Sequence, residues 1–171
     1  MELTDVLKSR RSIRAFTGRQ VEQEKLQRVL EAASCAPSAG NLQAFEIYVV
    51  TDRSQRLALA KAALGQEFLA SAPVALVFCA SPARNVGRYG ERGKRLYALQ
   101  DATIACTYAM LAVTDLGLAT VWVGAFNDDA VSSALRLPEG IHPVAMLPIG
   151  YAAEQPEATP RRPLDDLVHS L

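Results

Sequence analysis

The stretch Leu96–Leu118, "LYALQDATIACTYAMLAVTDLGL", restricts the fold more than any other segment. It is apolar on almost every helical face and long enough to imitate a membrane span. It also carries Gln100, Asp101 and Asp115, and an Asp at mid-bilayer costs about 3 kcal/mol. A helix that is apolar nearly all round equally suits the centre of a globular domain. The segment is therefore expected as a long buried central helix, with the rest of the chain packed around it. At 171 residues, half of them apolar, there is material for one domain with a real core.

The flanking segments supply sheet and further helices. Leu3–Ser9 reads as an opening helix, and Glu22–Ala33 places Leu26, Val29, Leu30 and Ala33 on one helical face. "FEIYVVT" (Phe45–Thr51), "VALVFCA" (Val74–Ala80), "ATVWVGAF" (Ala119–Phe126) and "HPVAMLPIGY" (His142–Tyr151) read as strands. Helices are expected over Ser54–Leu64 and in "DDAVSSALRL". Residues 82–95, "PARNVGRYGERGKR", read as an exposed loop or lid, and the proline-rich tail 152–171 as extended, with a helical end. The strand-rich second half and the long helix argue for an α+β class rather than a doubly wound sheet.

Formal net charge is zero, so bulk electrostatics gives no reason to expect nucleic acid or a membrane as partner. The cations are skewed, fourteen Arg to four Lys, which reflects either genomic bias or planar groups chosen for phosphate. Three scattered cysteines and two histidines argue against a zinc site or disulfide framework, so no metal is expected. Cys35 is expected as a small buried residue. "MELTDVLKSR" lacks the basic start and apolar run of a signal peptide, which fits a cytoplasmic setting. No Gly-rich nucleotide fingerprint, P-loop or nucleophile elbow occurs, so any chemistry belongs to a bound cofactor.

Four constellations stand out. "RRSIRAF" sets Arg10, Arg11, Ser12 and Arg14 within five residues, donors enough to surround a phosphate; a solvated basic turn explains them equally. If the chain is extended there, Ser12 and Arg14 share a face. "TPRRPLDD" aims Arg161 and Arg162 between two prolines, or simply lies on the surface. "APSAGNLQ", residues 36–43, has a helix stop in Pro37 and Gly40, but Asn41 and Gln43 add amides that can read the edge of a heterocycle. In "VWVGAF", Gly124 at a strand end lets a planar ligand lie against bare backbone, or is an ordinary strand-end Gly.

In this order and spacing, "RRSIRAF", "APSAGNLQAFEIYVV", "VWVGAF" and "PIGY…TPRRPLDDLVH" resemble the nitroreductase family of flavoproteins, in its compact bacterial and archaeal form. The resemblance implies a mostly antiparallel central sheet flanked by helices, in an intertwined homodimer with FMN at the subunit interface. It implies that Arg10, Arg11, Ser12 and Arg14 hold the FMN of one subunit, while Pro37, Ser38, Ala39, Asn41 and Gln43 close over it from the other. Val123 and Gly124 match the segment near flavin N5, and Arg161 and Arg162 match basic tail residues that reach the phosphate. The tail 152–171 would then extend over the partner. Gln66 is the candidate replacement for polar contacts that longer members carry between the first strands. Where the family loop continues Pro-Trp or Pro-Phe after the Gln, this chain has Ala44 and Phe45.

The chemistry implied is hydride transfer from NADH or NADPH through flavin N5 to an electron-poor acceptor (nitroaromatic, quinone or flavin), in ping-pong order. No side chain need act as acid or base, and Arg14 is the candidate stabiliser of the reduced flavin. The alternatives are a flavin-binding or storage protein without turnover, and a flavoenzyme of the same fold that dehalogenates or destroys flavin.

Overall fold

All seven residues of the apolar run Val74–Ala80, strand β2, are buried. A strand covered on both faces needs a layer on each side, and the computed structural model, which describes all 171 residues, has both. β2 pairs antiparallel with β1 (Phe45–Val50) and β4 (His142–Gly150), and β3 (Ala119–Thr120) completes a sheet of order β1-β2-β4-β3. Leu76 and Phe78 face helices α2 (Gln23–Ser34) and α6 (Ala98–Asp115), meeting Val29, Ala33, Ala105, Cys106, Ala109 and Val113. Ala75, Val77 and Cys79 face α3 (Arg53–Ala62), α4 (Phe68–Ser71) and α7 (Asp128–Leu135) through Leu59, Leu69 and Val131. The α+β architecture expected from the sequence is the one observed, with every strand pair antiparallel.

α6 is the long central helix, and small residues line its inner side. Ala98, Ala102, Ala105 and Ala109 are fully buried, and at spacings of three and four they form one face that lets the helix close on the sheet. Its flanks differ: Leu99 is exposed on one and Tyr108 on the other, and Tyr108 shares an apolar hollow with the exposed Leu3 and Leu7 of the neighbouring helix α1 (Leu3–Ser9).

Three expectations are corrected. The strand over Ala119–Phe126 is interrupted: only Ala119 and Thr120 form a ladder, and Val123 rejoins β4 in a single bridge to Met146. Continuing the Thr120↔Ile149 register sets Val121 opposite Pro148, which has no N–H to donate. Residues 82–95 are not a loop but helix α5 (Ala83–Arg92) and a π turn (Gly93–Tyr97) that runs into α6. Gly90 absorbs a kink at φ 55°, while Gly93 is buried so closely that a Cβ there would lie 2.8 Å from the Asn85 carbonyl oxygen. Cys35 is exposed beyond the end of α2, whereas Cys79 and Cys106 are buried.

The N-terminal region is stitched to the end of β4. Phe16 bridges Ala152, and Tyr151 donates its hydroxyl to Glu22 Oε2 at 2.6 Å while accepting from Lys25 Nζ at 3.0 Å. Arg19 pairs with Glu22 at 2.5 Å and lies 4.0 Å over the Tyr151 ring. The Tyr151 hydroxyl first, then the backbone and Arg19, hold the Glu22 carboxyl at about 2, below its ordinary 4.5. A carboxyl depressed by folding stabilises fully above its unfolded pKa and loses that contribution as pH falls through the folded one. Melting temperature of wild type should therefore drop more steeply than that of Glu22→Gln between pH 4.5 and about 2. Parallel curves for the two proteins in thermal melts across that window would refute this.

Candidate functional site

Beyond α1 the chain runs alongside the sheet edge, because Ile13 N–H donates to the Thr120 carbonyl at 3.1 Å and Thr17 N–H to that of Tyr151 at 2.8 Å. Ile13 is buried, so the alternate positions Arg10, Ser12 and Arg14 fall on the opposite side of an extended segment. With Arg11 and Lys8 they line a cleft of about 380 Å³, closed by tail residues including Glu157, Thr159 and Arg161. Glu154 sets the tail in place: its Oε1 accepts from the backbone N–H groups of Arg14 and of Ala15, the latter at 3.0 Å. Arg11 folds back to the carbonyls of Lys8 and Arg10 at 2.6 and 3.0 Å.

These cations have no carboxylate partner. The two ion pairs of the chain, Met1–Asp115 and Arg19–Glu22, lie elsewhere. Burial first, then repulsion from Arg161 and Arg11, lowers the pKa of Arg10. Like charges packed together, with Glu157 the one carboxylate of the lining, form a site that a phosphate dianion satisfies, with Ser12 as a neutral donor. Arg162 takes another direction, its Nη2 donating to the Asp166 carbonyl at 2.6 Å.

The polar loop is a strained turn held from outside. Gly40, Asn41 and Gln43 all adopt left-handed backbone, at φ 56°, 58° and 50°. Such a conformation costs a non-glycine residue about 1 kcal/mol or more, and it persists where surroundings over-determine it. Asp101, only 2 % exposed, supplies that restraint. Its Oδ1 accepts from Ala39 N–H at 2.9 Å, and its Oδ2 from Ala44 N–H and Asn85 Nδ2, both at 3.2 Å. Ser38 Oγ accepts from Gln43 N–H at 3.0 Å, and Arg84 Nε donates to the Leu42 carbonyl at 3.0 Å. Asn41 and Gln43 stand exposed at the turn. Ala44, fully buried against Ala80 and Ala98, occupies a position where a proline would delete one of the N–H groups that Asp101 collects.

Val123 exchanges two backbone hydrogen bonds with Met146, at 3.0 and 2.9 Å, so the following Gly124 leaves the sheet from a fixed point. Gln66 reaches the same segment, its Nε2 donating to the Ala125 carbonyl at 3.1 Å. The sequence-predicted residues therefore gather in three places. Arg10, Arg11, Ser12, Arg14 and Arg161 share the cationic cleft. Pro37, Ser38 and Ala39 line a separate open cavity against α6, of about 550 Å³, that has no residue in common with that cleft. Gln66, Val123 and Gly124 form the third group.

Asp101 was missed as a site residue. Its signal was present: a lone carboxylate in an apolar helix, with Tyr97, Ala98, Ile104 and Ala105 at the helical neighbour positions and no cation among them. Asp101→Asn presents an N–H₂ where donors converge, and leaving one of them unpaired in a buried site costs about 1–3 kcal/mol. A loss in that range should appear in urea unfolding, with faster proteolysis at residues 38–43. A variant within about 0.5 kcal/mol of wild type would show that the carboxylate does not hold the loop.

The sequence profile of the Nitroreductase family matches residues 7–66 and 58–151. An FMN reductase [NAD(P)H] of Bacillus subtilis is 32% identical over 183 residues, covering 98% of this chain and 74% of that protein. An oxygen-insensitive NADPH nitroreductase of Salmonella typhimurium is 31% identical, covering 96% of this chain and 72% of that protein. Among solved structures, the NADPH:FMN oxidoreductase from Vibrio harveyi complexed with NAD+ superposes with a TM-score of 0.90 at 29% identity, over 98% of this chain and 76% of that one. The antiparallel sheet and the long central helix are thus shared with known folds, and the chain belongs to the nitroreductase family.

Proposed function

We propose that this chain is an NAD(P)H-dependent FMN oxidoreductase that works as a homodimer, with each flavin site shared between two copies. The observation that carries the reading is the cationic cleft: Arg10, Arg11, Arg14 and Arg161 converge with Ser12, against the single carboxylate Glu157, and none of the four is in an ion pair. That donor set fits the terminal phosphate of FMN. The relatives named for FMN and NAD(P)H chemistry support the same assignment.

Each residue has a physical task. Arg10, Arg11 and Arg161 hold the phosphate, and Ser12 adds a directional donor. Arg14 supplies fixed positive charge against the negative charge gained on reduction. Val123 and Gly124 offer a rigid backbone surface without a side chain to exclude a flat ring, and Gln66 braces it. FMN bound there supplies hydride chemistry, accepting from NADH or NADPH and delivering to an electron-poor acceptor in ping-pong order.

The loop belongs to the other copy's site in this reading. Its cavity lies apart from the Arg cleft, and exposed Leu3, Leu7 and Tyr108 gather with Leu111 in an apolar hollow between α1 and α6 that a second copy covers. Ser38, Asn41 and Gln43 then meet the flavin that the opposite Arg cleft holds, and the exposed tail 152–171 lies over the partner.

Replacing Arg10 and Ser12 together with Ala should weaken FMN binding on the order of 100-fold, read by quenching of flavin fluorescence, while Arg162→Ala changes it little. Unaltered affinity in the double variant would overturn the phosphate assignment. FMN-loaded protein should bleach with NADH or NADPH under argon; protein that neither nucleotide reduces is a binding or storage protein. Tyr108→Arg, outside the Arg cleft, should yield monomers in gel filtration and lose FMN with them. A monomeric variant that keeps full FMN affinity would end the shared-site proposal.

A further inference from the structure

Helix α5 carries Arg84, Arg88 and Arg92 at i, i+4 and i+8, and Lys94 and Arg95 follow in the π turn. Like charges at this spacing destabilise a helix. Glu91 is the one carboxylate in the stretch, and it forms no ion pair, since the chain's two pairs lie elsewhere. All five cations are exposed, yet three guanidinium groups are held in place. Arg84 Nε donates to the Leu42 carbonyl at 3.0 Å. Arg88 lies 5.4 Å from the Tyr89 ring and against the loop, its Nη1 2.8 Å from where a Gly40 Cβ would sit. Arg92 Nε donates to the Tyr97 hydroxyl at 3.0 Å.

In Arg84 and Arg92 these contacts occupy Nε and leave the terminal nitrogens to a ligand. Planar groups oriented in advance suit bidentate capture of a phosphate. The row starts on the loop that carries Ser38–Gln43; Arg84 and Arg88 are one turn apart, roughly 6 Å at 1.5 Å per residue, and Arg92 continues it beyond the kink at Gly90. A nitroaromatic or quinone acceptor has no anion so far from its reacting ring, and a flavin acceptor brings a phosphate but no adenosine. The FMN phosphate is already matched by the other cationic cleft. A dinucleotide donor fits, because its adenosine end lies far from the nicotinamide and, in NADPH alone, carries an added phosphate dianion.

We propose that the arginine face of α5 binds the 2′-phosphate of NADPH and makes the protein selective for NADPH over NADH; this rests on the oxidoreductase reading above. The test compares wild type with the Arg88→Gln/Arg92→Gln double variant, and with Lys61→Gln on α3 as a charge control. Melting curves confirm that the variants fold. Calorimetry with adenosine 2′,5′-bisphosphate and adenosine 5′-monophosphate reads the phosphate site without any turnover. The bisphosphate should bind wild type at least about tenfold more tightly than the monophosphate, and the double variant should lose on the order of tenfold per arginine. In anaerobic stopped-flow reduction, the NADPH-to-NADH ratio should fall by a similar factor in the double variant and stay constant in Lys61→Gln. Equal losses for both nucleotides, equal binding of the two adenosines, or the same loss in the control would overturn the proposal. FMN-loaded protein reduced by neither nucleotide would sink the oxidoreductase reading. The adenosine titrations then still decide the arginine face: tight bisphosphate binding that the double variant loses upholds it, and its absence refutes it.

Discussion

A carboxylate removed from water needs either a cation or a full set of hydrogen-bond donors, and Asp101 has only donors. Two are backbone N–H groups at opposite ends of the Ala39–Ala44 loop, and the third is Asn85 from α5. One side chain on the central helix thereby joins three segments that are distant in sequence. The strained turn follows from it, because Ala39 and Ala44 cannot both reach one carboxylate unless the residues between them fold back through left-handed backbone. The row of alanines along α6 follows as well: the helix must lie close to Ala44 and Ala80, and Ala98 permits this. Whatever the loop binds is positioned by α6, and so by the sheet against which α6 packs.

The same helix has a second side, and the proposed dimer depends on it. Its inner face is sealed against β2 and β4, while Tyr108 and Leu111 border α1 in an apolar hollow. Apolar helices are uniform in composition but not in use, and here one face builds the subunit while the proposal gives another to a second copy. In the proposed dimer, the element that fixes the loop also carries the joining surface. Loop position and subunit contact are then mechanically coupled through α6 without any mobile connector.

Much of this was legible in sequence, and the exceptions have physical causes. Strands β2 and β4 were readable because burial on both faces demands unbroken apolar runs, and the half-buried edge strand β1 because it is rich in aromatic and β-branched residues. The interrupted third strand was misread through attention to its own residues; the cause sits on its partner, in Pro148. α5 was misread because Gly87, Gly90 and Gly93 look like breakers, whereas the helix is held by tertiary contacts around Asn85 and Gly93 that local propensity does not register. Cys35 was expected inside because cysteines are usually buried, yet α2 ends one residue earlier and leaves it in solvent. The cationic cleft was half legible: alternation predicted that Ser12 and Arg14 share a face, but Arg161 joins them through Glu154, whose role rests on backbone donors. Nothing in "TPRRP" distinguishes Arg161 from Arg162. Only the fold turns one into the cleft and the other onto its own tail.

Net charge conceals the most informative electrostatic property of the chain. Eighteen cations and eighteen anions cancel in the total, yet only two ion pairs form. The unpaired cations are concentrated at two separate places, the α1–tail cleft and the outer face of α5. Self-repulsion at each place opposes folding, so an anionic ligand that relieves it gains affinity from the same term. A cofactor with one terminal phosphate satisfies one cluster and leaves the other uncompensated. In the proposed dimer the two clusters border one flavin and answer to two anionic ligands, a resident cofactor and a visiting donor. The resident would be held in the cleft closed by the tail. The visitor would meet arginines on an open helix face, where weaker, solvent-screened attraction permits the release that turnover requires.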